Sequence, residues 1–274
     1  MFGLAILFGG IVGLALGLTG GGGGIFALPL LVYALHIAPR EAVGISLAAV
    51  GGTALFGAVP RMIHGDVELR TGLLFAVAGM VGAPVGSYLS TLIAESVLLV
   101  LFAGLMLVVA WRMWAKTRNP ETPTGVCSTE TQPGPDGSAC QRDADGKLRL
   151  TSRCARLLVI VGLITGVLAG LFGVGGGFVI VPALVLFSGM AIHRAVGTSL
   201  FVIVLVSISG VASHLIAGNT LSLATTLPFM LGGIGGIFLG GIVAKRLKGP
   251  TLQKIFSIAI VMVAIFMIVQ ATIV

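Results

Sequence analysis

The residues best suited to chemistry in this chain carry no charge. They are two glycine runs, Leu18-Thr19-Gly20-Gly21-Gly22-Gly23-Gly24-Ile25-Phe26-Ala27-Leu28-Pro29 and Leu171-Phe172-Gly173-Val174-Gly175-Gly176-Gly177-Phe178-Val179-Ile180-Val181-Pro182. Each breaks a long apolar segment and is followed by residues that restart a helix before a proline. The first N–H groups of a helix have no internal partner, and the helix dipole places about half a positive charge there. A helix start is therefore an anion site that needs no charged side chain, and glycine allows the backbone to approach a ligand closely. On this logic Gly22, Gly23, Gly24, Gly175, Gly176 and Gly177 are the candidate binding residues. The competing reading is that they only let a hairpin tip pack tightly. Neither run is followed by Gly-Lys-Ser/Thr, which sets aside a Walker phosphate loop.

A second pair of motifs carries hydroxyls: Val43-Gly44-Ile45-Ser46-Leu47 and Val196-Gly197-Thr198-Ser199-Leu200. Ser46, Thr198 and Ser199 are candidates to bond the anion or to cap a hairpin end. The alternative is a bond back to their own helix. Arg61 and His214 are candidate cationic gates or mouths near opposite faces. Proton relays and sodium sites in membranes usually contain a buried carboxylate. No Asp, Glu, Lys or Arg occurs in 1–39, 157–192 or 195–244. Two helix starts meeting there would suit a small oxyanion such as sulfite, sulfate or a sulfonate. No Ser–His, paired-carboxylate or metal-ligand constellation lies in the apolar segments, so neither an enzyme nor a cofactor or metal is expected. Cys127, Cys140 and Cys154 match no zinc spacing and read as reduced thiols.

What must position these residues is a membrane-embedded scaffold. The chain of 274 residues is 57% hydrophobic and 9% charged, against roughly 25% charged in a soluble domain. That much apolar surface cannot be hidden from water, so the chain is read as an all-α polytopic membrane protein. The net charge of +7 sits in short loops and reads as orientation by the positive-inside rule, not as a nucleic-acid patch. The N-terminus has no basic region and does not read as a cleaved signal peptide.

Apolar segments run approximately 2–18, 24–36, 42–60, 70–92 and 96–114, then 157–172, 177–192, 195–216, 221–244 and 254–273. A shift of 153 places Gly9, Gly13 and Gly17 on Gly162, Gly166 and Gly170, and Pro29 on Pro182. It also places Ala42-Val43-Gly44 on Ala195-Val196-Gly197. The organisation is therefore a first transmembrane repeat over 1–114, a mobile cytoplasmic linker over 115–156 rich in Pro, Gly and charge, and a second repeat over 157–274. Small residues four apart, as in Gly9-xxx-Gly13-xxx-Gly17, read as helix-packing surfaces.

Charge orients the repeats. Arg61 and Arg70 flank one turn, the linker holds eight basic residues from Arg112 to Arg156, and Lys245, Arg246, Lys248 and Lys254 surround another turn. In the scheme that assigns these to the cytoplasm, Arg194 also falls inside and only Arg40 of sixteen Lys and Arg lies outside. The turn at Ala217-Gly218-Asn219, which matches the basic turn of the first half, then lies outside. The repeats are thus expected to be inverted, with both termini outside. Inversion needs an odd number of crossings per five-segment repeat. Residues 24–36 would rise about 18–20 Å as a helix against a hydrocarbon core of about 30 Å, so each repeat is expected to open with a glycine-tipped re-entrant helical hairpin.

The paired motifs Gly-Val-Gly-Gly-Gly-x(4)-Pro at 173–182 and Ala-Val-Gly-Thr-Ser-Leu at 195–200 resemble those of the TauE/SafE family of sulfite exporters. The first copy departs from the pattern at Gly21 and Ile45. The resemblance implies a multi-pass transporter of the plasma (inner) membrane that exports sulfite or a related small organosulfur or sulfur oxyanion. Alternating access between the repeats is the expected mechanism. An anion channel or a non-transporting accessory protein is the alternative. Expected partners are the small sulfur-containing anion and the lipid bilayer, with no nucleic acid and a homodimer as the candidate assembly.

Overall fold

The structure is a computed structural model that describes residues 2–118, 141–142, 148–149, 152–173, 177, 180–181, 184, 190, 192–244, 261–262 and 265. Its helices are α1 (Phe2–Thr19), α2 (Gly24–Pro29, prolonged by a π turn over Leu30–Ala34), α3 (Pro39–Ile63), α4 (Leu69–Leu92) and α5 (Glu95–Arg118). They continue with α6 (Ser152–Phe172), α7 (Ile192–Ile216) and α8 (Leu223–Ala244). In the linker, β1 (Gln141–Arg142) pairs antiparallel with β2 (Leu148–Arg149). The rest of 119–151, most of the segments expected at 177–192 and 254–273, and Gly175 and Gly176 lie outside the described residues.

Among the described residues, six helices are long and apolar enough to cross a membrane: α1, α3, α4, α6, α7 and α8. At 25 residues each, α3 and α7 rise about 37 Å, more than the ~30 Å hydrocarbon core. The helix of Gly24–Ala34 rises only about 16 Å and cannot cross.

The long helices invert the rule of soluble proteins. In α1 the exposed side holds Leu4, Leu7 and Ile11, whereas Gly9, Val12 and Gly13 are buried. Lipid tails are as apolar as leucine, so burying large side chains gives helices little reason to associate; close backbone approach does. Accordingly α1 packs on α8 through Gly9 against Phe229, Gly13 against Gly233 and Gly17 against Ile237, so the two run parallel. The helices α4 and α6 pack in the same sense, with Gly79 beside Gly166 and Gly86 beside Val167. At the centre α3 and α7 run antiparallel: Gly44 meets His214, Gly51 meets Ser207 and Gly57 meets Leu200. On the flank, α5 turns Leu98, Phe102 and Met106 inward at i, i+4 and i+8, and Phe102 tilts against Phe172 with ring centroids 5.2 Å apart.

A Cβ added at Gly13 would lie 2.6 Å from the Gly233 carbonyl carbon, whereas one at Gly235 would meet nothing within 4 Å. Gly13→Ala is therefore expected to lower stability by about 1–3 kcal/mol through overpacking. Gly235→Ala should be neutral or slightly stabilising, since alanine favours helix. Thermal unfolding in detergent checks the contrast.

Candidate functional site

The first glycine run forms a tight reversal. Gly20 takes φ +75, a conformation that a Cβ makes costly, and its N–H closes α1 on the Leu16 carbonyl at 2.7 Å. The chain then folds back along α1, since a Cβ at Gly23 would fall 2.6 Å from Leu16 N. Thr19 organises the turn. Its hydroxyl donates to the Ala15 carbonyl at 2.7 Å and accepts the Gly22 N–H at 2.9 Å. The Ile25 and Phe26 amides bond the Gly22 and Gly23 carbonyls. The Gly22 amide is thus engaged, whereas those of Gly23 and Gly24 have no partner among the described residues. Residues 20–25 are all buried, so this tip is enclosed by protein.

The second run begins the same way. Gly173 takes φ +67 and bonds back to the Ala169 carbonyl at 2.9 Å. The two tips seat on corresponding residues: a Cβ on Gly20 would lie 2.8 Å from Val196 Cα, and one on Gly173 would lie 2.6 Å from Val43 Cα. They also touch each other. A Cβ on Gly21 or on Gly177 would fall 2.7 Å from the other's Cα. Two backbones this close exclude any side chain, and in this conformation they leave no gap for an ion between Gly21 and Gly177.

The hydroxyls divide. The Ser199 hydroxyl reaches the Gly20 carbonyl at 2.6 Å and the Val196 carbonyl at 2.9 Å, so it fastens the first tip to α7. Thr198 accepts the Glu68 N–H at 3.0 Å and touches Met190 Sδ at 3.6 Å, tying the α3–α4 loop to α7; Thr71 in turn donates to Glu68 at 2.8 Å. Ser46 is fully buried, and its hydroxyl has no hydrogen-bond partner among the described residues.

The two basic candidates are more enclosed than mouths require. Arg61 reaches the Gly17 carbonyl through Nη2 at 3.4 Å, while its buried Nη1 has no partner among the described residues. His214 is 2% exposed, with its ring against Gly44 and neither ring nitrogen bonded among the described residues. The anchoring role of Thr19 escaped the sequence reading, although a threonine just before a helix break is a recognised capping signal. A cavity of about 580 Å³ lies away from the tips, between α4 and α6, lined by Leu73, Val77, Val81 and Leu163 among others. Its apolar, outward-facing wall suits lipid, not an anion.

Removing the Ser199 hydroxyl would leave the buried Gly20 carbonyl without its 2.6 Å partner. Ser199→Ala is expected to lower stability by about 1–3 kcal/mol, and thermal unfolding of the ligand-free protein reads it directly.

Comparison with known proteins agrees with this architecture. The profile described as sulfite exporter TauE/SafE matches residues 5–267. A probable membrane transporter protein of Xylella fastidiosa (strain 9a5c) is 33% identical over 95% of this chain and 92% of its own length. Probable membrane transporter protein YunE of Bacillus subtilis (strain 168) is 27% identical over 96% and 95%. No solved structure matches. A match of this extent, over a scaffold of apolar helices broken by buried glycine turns, makes the chain a member of the sulfite exporter TauE/SafE family of membrane transporters.

Proposed function

We propose that this protein exports sulfite, or a related small organosulfur or sulfur oxyanion, across the plasma membrane by alternating access. The observation that carries the proposal is the meeting of the two buried glycine tips at Gly21 and Gly177. Irregular backbone at membrane depth is tolerated only where protein or a cavity covers it. Helix starts placed there offer N–H donors to an anion. The Gly23 and Gly24 amides are such donors in the first half, and Gly175, Gly176 and Gly177 take that role in the second.

On this reading, 1–114 and 157–274 are inverted repeats, each opening with a re-entrant hairpin, and the linker is cytoplasmic. Several features support it. The positive-φ glycines come in pairs 153 apart, Gly20 with Gly173 and Gly65 with Gly218. The corresponding helices α3 and α7 lie antiparallel, which a twofold axis in the membrane plane would require. Each opening helix packs on the other half, α1 on α8 and α6 on α4. Because the tips touch, the anion enters only when they part, and rocking of one half against the other supplies that motion. The membrane potential drives the export: with the inside negative, each expelled negative charge gains about 2.3 kcal/mol per 100 mV.

Two experiments test this. In proteoliposomes, sulfite flux is expected to saturate with concentration and to follow an imposed potential. Gly21→Val should reduce it at least about tenfold by wedging the tips. Absence of sulfite, sulfate and sulfonate flux above empty liposomes would overturn the proposal. For topology, single cysteines replacing Asn219 and Asp66 in a cysteine-free background are expected to react with an impermeant maleimide from outside and from inside, respectively. Labelling of both from one side would overturn the inverted arrangement.

A further inference from the structure

The cavity between α4 and α6 ends on a charge. Arg70 lines it together with Leu73, Val77 and Val81 of α4 and Val159 and Leu163 of α6. Spacings of three, four and seven keep these positions on one face of each helix. Arg156 continues the α6 face, three residues before Val159 and seven before Leu163. The two arginines also stand level. Gly162, Gly166 and Gly170 pack on Phe75, Gly79 and Ala83, a constant register that sets Arg156 beside Leu69 and so next to Arg70. Both arginines are exposed. The Glu68 carboxylate, just ahead of α4, accepts the buried Thr71 hydroxyl at 2.8 Å on the interior side of the helix.

From Arg70 to Val81 the groove rises about 16 Å, roughly half of a hydrocarbon core of about 30 Å. A cavity of about 580 Å³ with that depth, an apolar wall and a cationic rim has the proportions of a lipid from one leaflet. Helix packing alone does not call for the charges. The corresponding pair, α8 and α1, packs through the same glycine pattern with Leu223 and Gly3 in place of Arg70 and Arg156. A second copy of the chain fits this face less well. In a twofold interface one patch meets itself, and an axis along the membrane normal would set each arginine against its own copy.

We infer that this groove holds an anionic phospholipid, its phosphate bridging Arg70 and Arg156 and an acyl chain lying along Leu73, Val77 and Val81. The arginine fork matches phosphate oxygens, and basic pockets between helices on the cytoplasmic side suit acidic head groups. Arg70 belongs to the first half of the chain and Arg156 to the second, so the bound head group clasps the two halves at one end of their α4–α6 contact. The groove stands apart from the transport reading; only its assignment to the cytoplasmic leaflet rests on the topology proposed above.

The test uses the purified full chain in detergent, followed by thermal unfolding. It is titrated with phosphatidylglycerol, with phosphatidylcholine of the same acyl chains and with inorganic phosphate. Phosphatidylglycerol is expected to stabilise at a roughly tenfold lower concentration than phosphatidylcholine, and phosphate not at all. Arg70→Gln and Arg156→Gln should each remove most of that preference while leaving the lipid-free unfolding temperature level, since both side chains are exposed. Val77→Trp fills the groove without touching a charge and should raise the phosphatidylglycerol requirement by a similar factor. Equal responses to the two lipids, a preference that survives either glutamine substitution, or an equal shift with free phosphate would overturn the site. A dimer in detergent that Val77→Trp dissociates would overturn it in favour of a second copy. Sulfite flux without a lipid preference overturns the lipid site and leaves transport standing; a lipid preference lost in the variants, with no flux in liposomes, does the reverse.

Discussion

A helix interrupted in the hydrocarbon core has to bring its own solvent. Each N–H or C=O freed at the break faces a medium that cannot hydrogen-bond it, at a cost of several kcal/mol per group. The first break in this protein is met group by group. Thr19 takes the Gly22 amide, Ser199 takes the Gly20 carbonyl, and Leu16 takes the Gly20 amide. The rest of the molecule follows from keeping that cluster dry. The long helices α3 and α7 wall it, and α1 and α6 deliver the glycine turns to it. Small residues on the interior faces of α1, α3, α4, α6, α7 and α8 allow the walls to close. Among the described residues, the Gly23 and Gly24 amides are left unbonded at this turn, and elsewhere in the interior buried polar atoms of Ser46, Arg61, Ser87, Ser207 and His214 lack partners.

Much of this was legible in the sequence because glycine and charge leave marks that survive without coordinates. Consecutive glycines from Gly20 to Gly24 run all the way round a helix, so a packing stripe does not explain them. The helix boundaries fell within a few residues of the apolar segments; α3 extends from the expected 42–60 to Pro39–Ile63 and α6 begins at Ser152, ahead of 157. A repeat of 153 says which positions correspond, but not which helix of one half packs on which helix of the other. The crossing of α1 onto α8 and of α6 onto α4 was invisible for that reason. His214 was hidden differently. Near a segment end a histidine reads as interfacial, and only the empty face of Gly44 across the α3–α7 contact gives its ring a buried place.

The expectation that hydroxyls serve the anion met a competitor in the backbone. A serine one turn into a helix has carbonyls within reach, and where a hairpin tip presents one more, as Gly20 does to Ser199, the strongest available acceptor is internal. The Thr198 hydroxyl is taken by the backbone in the opposite sense, accepting the Glu68 N–H. Sequence alone marks these residues as hydrogen-bonding groups at the right depth. It does not say whether protein or ligand completes them, because that depends on a tip placed from about 180 residues away in the chain.

The places where the two motif copies differ are also where the bonding differs. Thr198 ties the loop between α3 and α4 to the start of α7 through Glu68. The corresponding residues are Ile45 and Leu221; Ile45 has no hydroxyl to accept the Leu221 backbone N–H, so the equivalent tie between the α7–α8 loop and α3 cannot form. With Ser199 bonded to Gly20 and Ser46 unbonded, two of the hydroxyl ties on one side of the α3–α7 pair are absent on the other. A pair of equivalent halves must differ in some such way if one arrangement is to be favoured at rest. Breaking a buried hydrogen bond costs on the order of 1 kcal/mol; on the alternating-access reading proposed above, two such ties suffice to favour one arrangement over the other. The divergence of Ile45 from Thr198 thus marks a place where the bonding of the two motif copies departs from symmetry.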